Sequence, residues 1–116
     1  MQETLTSAKA IANSIADKKG RDIVMIDIRE KSSFADYFVN ATATNIRMLD
    51  TLQNEIEKTG KENGVELRHA EGKAASGWIL LDFGDIIVNL FLEEQRSTYN
   101  IEKIWSDGAF IEFLSE

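Results

Sequence analysis

The chain has no cysteine, no proline and a single histidine, His69. The missing cysteine excludes a disulfide framework and any zinc site built on thiolates, and it fits a reducing cytosol or an equivalent organelle compartment. No signal-like amino terminus opens the chain, and no apolar stretch approaches the roughly 18 residues that a membrane span needs. A cytoplasmic location is therefore expected. Without proline, turns fall to seven glycines and to Asn, Asp and Ser. Positive charge is also scarce: 13 Lys and Arg stand against 20 Asp and Glu, a net charge of −7. Nucleic-acid backbones are bound largely by lysine and arginine neutralising phosphates, so this balance speaks against direct nucleic-acid binding. The acidity is also uneven. Residues 79–116 hold eight carboxylates, Asp82, Asp85, Glu93, Glu94, Glu102, Asp107, Glu112 and Glu116, against only Arg96 and Lys103. A basic partner is the natural complement.

At 116 residues the chain is long enough for one core and short for two, given domains of about 100–150 residues. No internal repeat, low-complexity tract or linker divides it. Leu5, Ala8, Ile11, Ala12, Ile15 and Ala16 recur at spacings of three and four, which predicts an amphipathic helix over residues 3–18 with Gly20 closing it. Residues 22–28, a β-branched apolar run with acidic ends, read as a buried strand, and residues 36–42 as a second one. Thr44 or Asn45 can cap a helix running to about Asn63, with Ile46, Leu49, Leu52 and Ile56 on its inner face and Gly64 at its end. Residues 65–69 read as a short edge strand, residues 78–83 and 85–92 as a hairpin around Gly84, and residues 93–100 as a final short helix. The expected class is α/β, in the order α-β-β-α-β-β-β-α. In the hairpin's first strand, alternation places Ile79, Leu81 and Phe83 on one face and Trp78, Leu80 and Asp82 on the other. The first set is the better core face, so the second needs cover from another element or from a partner.

Few residues support catalysis. With one histidine and no cysteine, a metal site would have to be mostly carboxylate, and His69 reads as a structural or surface residue. Ser32-Ser33 and Ser76-Gly77 do not lie in a G-x-S-x-G elbow and read as turn and strand-entry residues. Gly72, Gly77 and Gly84 make neither a G-x-G-x-x-G nor a P-loop. Asp82 and Asp85 could be imagined holding magnesium, but they straddle a turn instead of sharing a strand face two residues apart. They read as a capped hairpin turn with a solvated acidic rim. Trp78 is either an interface anchor or a cover for the open end of the core, and Arg96, Tyr99 and Trp105 carry the same two readings. Glu93-Glu94-Gln95-Arg96 by itself is a solvated helix start with its acids placed for the helix dipole.

Several motifs in order resemble the ribosomal silencing factor (Iojap) family. They are Lys31-Ser32-Ser33-Phe34-Ala35-Asp36-Tyr37-Phe38, Ala43-Thr44-Asn45, Glu71-Gly72, the run from Gly77-Trp78 through Asp82-Phe83-Gly84-Asp85, Glu93-Glu94-Gln95-Arg96 with Tyr99, and Glu102-Lys103-Ile104-Trp105. The match runs from about residue 5 to Gly108, which suggests a domain over residues 1–108 followed by a tail, 109–116, whose conformation the sequence leaves open. The resemblance implies a single mixed-sheet domain of nucleotidyltransferase-like topology without the transferase residues, hence no enzyme and no cofactor. It implies binding to the large ribosomal subunit through the fourteenth large-subunit protein (uL14), blocking the small subunit and so lowering translation when nutrients are scarce. Organelle members take part in large-subunit assembly, and members also form homodimers. Strand alternation and the family motifs together nominate Trp78 and Leu80 as apolar anchors, Asp82, Asp85 and Glu94 as acidic contacts, and Ser76, Tyr99 and Lys103 at the margin. The competing enzymatic expectation is a metal-dependent nucleotidyltransferase.

Overall fold

A computed structural model describes residues 2–29, 35–94 and the backbone of 109–110. The apolar stripe of the first segment forms α1, Gln2–Asp17, with Ala8, Ile11, Ala12 and Ile15 fully buried. Its end differs in detail from expectation. Lys19, not Gly20, takes the left-handed conformation at φ 72°, while Gly20 donates its N–H to Ile15 O at 2.9 Å. Glycine is required there for closeness, since a Cβ would meet Ile15 Cγ2 at 2.2 Å.

The two β-branched runs become β1, Arg21–Asp27, and β2, Tyr37–Ala43, paired antiparallel. Helix α2, Ile46–Glu62, starts at Asn45, whose side chain accepts from Met48 N at 2.8 Å. This satisfies one of the amides that a helix start leaves orphaned. Leu49, Leu52 and Ile56 are buried as their spacing requires, but Ile46 is 46% exposed. The reason is position: Ile46 is the first helical residue, and the sheet strands beside it end at Ala43 and Leu92, so it stands at the end of the sheet and not over its middle.

The hairpin forms as β4, Trp78–Asp82, and β5, Ile86–Leu92. The strand expected at residues 65–69 does not. Residues 65–68 instead close the end of α2: Gly64 turns at φ 82°, Val65 N–H donates to Gly60 O, and Val65 and Leu67 pack against the main core. Arg68 N–H donates to Asp82 O at 2.8 Å, and the strand itself follows as β3, His69–Lys73, where His69 lies opposite Asp82 and Lys73 opposite Trp78. A 3₁₀ turn, Ala74–Ser76, links β3 to β4. Glu93 and Glu94 are helical in backbone; the rest of the expected final helix, 95–100, lies outside the described residues.

Residues Ala109–Phe110 add β6 antiparallel to β1, and the sheet order is β3-β4-β5-β2-β1-β6. Every neighbouring pair is antiparallel except β2 and β5, which run parallel at the centre. The fold is therefore a single α/β domain with one mixed sheet. Helices α1 and α2 pack on each other and against one sheet face, enclosing Met25, Tyr37, Val39, Ile79, Leu81, Phe83, Val88 and Leu90. The opposite face carries a smaller apolar cluster of Ile26, Ile28, Ala35, Phe38 and Ile87, with Val24 and Leu80 against it.

Candidate partner-binding face

Strand β4 shows why an aromatic, a leucine and an acid share a surface. Ile79 and Leu81 are buried beneath the helices, while Trp78, Leu80 and Asp82 are half-buried on the face the helices leave. Trp78 is held firmly. Its ring lies parallel to that of its cross-strand neighbour Phe91, centroids 6.0 Å apart and planes 2° apart. Its Nε1–H donates to Asn89 Oδ1 at 3.2 Å. Ser76 serves the approach to this residue: its hydroxyl donates to Lys73 O at 2.7 Å and lies 3.2 Å from Trp78 O. Gly77 follows at φ 83° and its carbonyl accepts from Leu92 N.

Beside this turn opens a cleft of about 420 Å³ lined by Thr44, Asn45 and Ile46, by Ala75, Ser76 and Gly77, and by Leu92, Glu93 and Glu94. Among the described residues Ile46 is the one large hydrophobic side chain counted as exposed. The cleft thus pairs an apolar wall with an acidic rim, although Glu93 also reaches Arg21 at 3.7 Å. Ser76 and Glu94 had been nominated from sequence; Thr44 and Ile46 had not. The spacing of Ile46 assigned it to the core, because periodicity cannot see where the sheet beneath a helix stops.

The nominated acids do not gather. Asp85 precedes β5 and Glu94 follows it, so the length of a seven-residue strand, about 20 Å, separates them. Asp82 lies at the Asp85 end, where its Oδ1 accepts from Gly84 N at 2.7 Å and shapes the hairpin turn. Asp85 is exposed, and its carbonyl accepts from the amides of both Asp36 and Tyr37. It lines a separate depression of about 470 Å³ with Ser7, Asn63, Arg68 and Phe83. Ser76, Trp78 and Glu94 thus share one end of the sheet, Leu80 lies between, and Asp82 and Asp85 mark the other end. Tyr99 and Lys103 lie outside the described residues. His69 is on the edge strand with Nε2 3.1 Å from Glu71 Oε1, both side chains exposed.

One charged cluster gave no sequence signal of its own. Arg29 grips Asp27 through Nε and a terminal nitrogen at 2.6–3.1 Å and lies 5.5 Å over the Tyr37 ring. These hydrogen bonds hold the Asp27 carboxyl below the usual aspartate range, while burial pushes the Tyr37 hydroxyl up. A depressed acid stabilises the fold fully above its unfolded value, about pH 4, and that contribution is lost as pH falls through the lower folded value. Asp27→Asn should therefore lose less stability than the parent as the pH falls below about 4. Denaturant titrations at a series of pH values check this, and parallel acid limbs would remove Asp27 from the acid response.

The fold and this face define a class: a single-sheet α/β domain whose sheet face opposite α1 and α2 presents, among the described residues, aromatic, apolar and acidic groups suited to a macromolecular surface. A family model described as "Ribosomal silencing factor during starvation" matches residues 1–115. The chain is 34% identical over 100 residues to a ribosomal silencing factor of Bacillus subtilis, covering 86% of this chain and 85% of that one. It is 29% identical to a mouse protein named "Mitochondrial assembly of ribosomal large subunit protein 1", covering 91% of this chain and 48% of the mouse protein. A crystal structure of a Chromobacterium violaceum protein, 30% identical, superposes with a TM-score of 0.84 over 100% of this chain and 95% of its own. The chain belongs to the ribosomal silencing factor family.

Proposed function

We propose that the protein is a ribosome-associated regulator that binds the large ribosomal subunit through uL14 and sterically keeps the small subunit from joining. The observation that carries this reading is the family match over residues 1–115. The geometry supports it: ribosomal proteins are generally basic, and the cleft sets Glu93 and Glu94 around Ile46 and Leu92, beside Trp78 on the adjoining face. Acidic rims steer such encounters and apolar or aromatic anchors supply the affinity. Trp78, Leu80, Ser76 and Glu94 are assigned to the contact, with Asp82 and Asp85 steering from the far end and Tyr99 and Lys103 at the margin. The protein works in this reading without a cofactor, in the cytoplasm, and pairs with a second copy when it is off the ribosome.

Sedimentation with separated large subunits, small subunits and joined ribosomes, at low and moderate salt, tests it. The expected result is salt-sensitive pelleting with large subunits alone, and loss of joining when small subunits are then added. No pelleting with any particle would end the proposal. The mouse relative's name favours a second reading, a large-subunit assembly factor, in which loss of the protein leaves precursor particles instead of an excess of joined ribosomes. Heat on titration with a nucleoside triphosphate and magnesium would instead revive the transferase reading.

A further inference from the structure

Asn89 is the only polar residue in β5, and it is 2% exposed; Asn40, in β2, is 0% exposed. The parallel register of β2 and β5 sets the two directly opposite each other. Asn89 Nδ2 donates to Asn40 Oδ1 at 3.1 Å, and Asn89 Oδ1 accepts from Trp78 Nε1 at 3.2 Å. Two buried amides in the middle of a sheet are costly unless bonded. The direction of their bonding is dictated from the surface, because an indole N–H donates and never accepts. Trp78 therefore takes Asn89 Oδ1, which turns Nδ2 toward Asn40 and obliges Asn40 to present its oxygen. The relay runs from the central strand β2 across β5 to Trp78 on β4.

Stacking on Phe91 fixes the plane of the indole. The hydrogen bond that Nε1 donates to Asn89 Oδ1 holds its direction within that plane. We propose that Asn89, backed by Asn40, is a positioning residue for the partner-binding face, setting the orientation of Trp78 before a partner arrives. This rests on the assignment of Trp78 to the contact. An anchor ordered in advance loses less conformational freedom on binding, so removing the relay should cost affinity beyond any change in stability.

The test is Asn89→Leu in the full chain, made in the parent and in a Trp78→Phe background, with affinity for purified large ribosomal subunits measured under conditions where each variant is folded. Asn89→Leu should weaken binding by about tenfold in the parent and by less than about twofold in the Trp78→Phe background. In a free ¹⁵N-labelled protein carrying Trp105→Phe, the Trp78 indole proton should exchange faster once Asn89 is replaced. Equal losses in both backgrounds, or parent-like affinity where Trp78→Ala has lost it, would overturn the proposal by making the amides merely structural. If the parent itself does not bind large subunits, the ribosomal reading fails, and the indole exchange alone decides the positioning role: unchanged exchange refutes it. Should Asn89→Leu not fold, Asn40→Leu with Asn89→Leu leaves no orphaned amide, and the same comparisons apply.

Discussion

Replacing Trp78 by alanine should weaken binding to large subunits by at least about 2 kcal/mol, roughly thirtyfold. The same change strips Phe91 of its parallel ring and leaves the buried Asn89 Oδ1 without its indole donor. Stability should therefore fall too, by about 3 kcal/mol, the low end for loss of a large aromatic, since Trp78 is only half-buried. Affinity has to be read where the variant is folded, as judged by far-ultraviolet dichroism. Ile46→Asp supplies the control, because that side chain is 46% exposed and touches little of the core. It should leave the unfolding midpoint nearly unchanged and still weaken binding. A folded Trp78→Ala protein with parent affinity would take Trp78 out of the contact.

The second large effect should come from Gly72. It lies in edge strand β3 at φ 84°, and a Cβ there would meet the backbone oxygen of Trp78 at 2.2 Å. Neither the left-handed conformation nor a backbone atom yields to a side chain. Gly72→Ala should cost about 3 kcal/mol, combining torsional strain with displacement of β3 from β4. Urea unfolding measures it, and a loss below about 1 kcal/mol would mean that the edge strand relaxes at little cost. Because the displaced backbone is that of Trp78, the variant should also bind more weakly than its stability loss explains.

Much of this architecture was legible along the chain. The two-residue period of residues 78–83 separated Ile79 and Leu81 from Trp78 and Leu80 correctly, because α1 and α2 cover one face of β4 and pack Ile79 and Leu81 into the main core. The cap of α2 was readable as Thr44 or Asn45, because a helix start needs a side-chain acceptor for its free amides, and the structure gives the role to Asn45. The edge strand was misplaced for an equally physical reason. His-Ala-Glu-Gly-Lys has little strand propensity, and it is extended because the backbone of β4 offers partners there, while the more strand-like residues Val65 and Leu67 are spent closing α2 against the core.

The candidate site was legible in its chemistry but not in its grouping. Trp78, Ser76 and Glu94 come together only because β5 returns beside β4 and Leu92 bonds to Gly77. Asp82 and Asp85, close to the others in sequence composition, end up a strand's length from Glu94. Ile46 was assigned inward by spacing and turned outward by the end of the sheet.

Sequence alone determined the class of domain, its acidity, the faces of the hairpin strand β4 and the family, because composition, periodicity and ordered motifs are properties of the chain itself. Tertiary structure decided which residues share a surface, that Asn40 lies opposite Asn89, and that their amides reach Trp78. Those depend on strand order and register, which are set by pairings between residues far apart in the chain, 49 positions for Asn40 with Asn89 and 84 for Ile26 with Phe110.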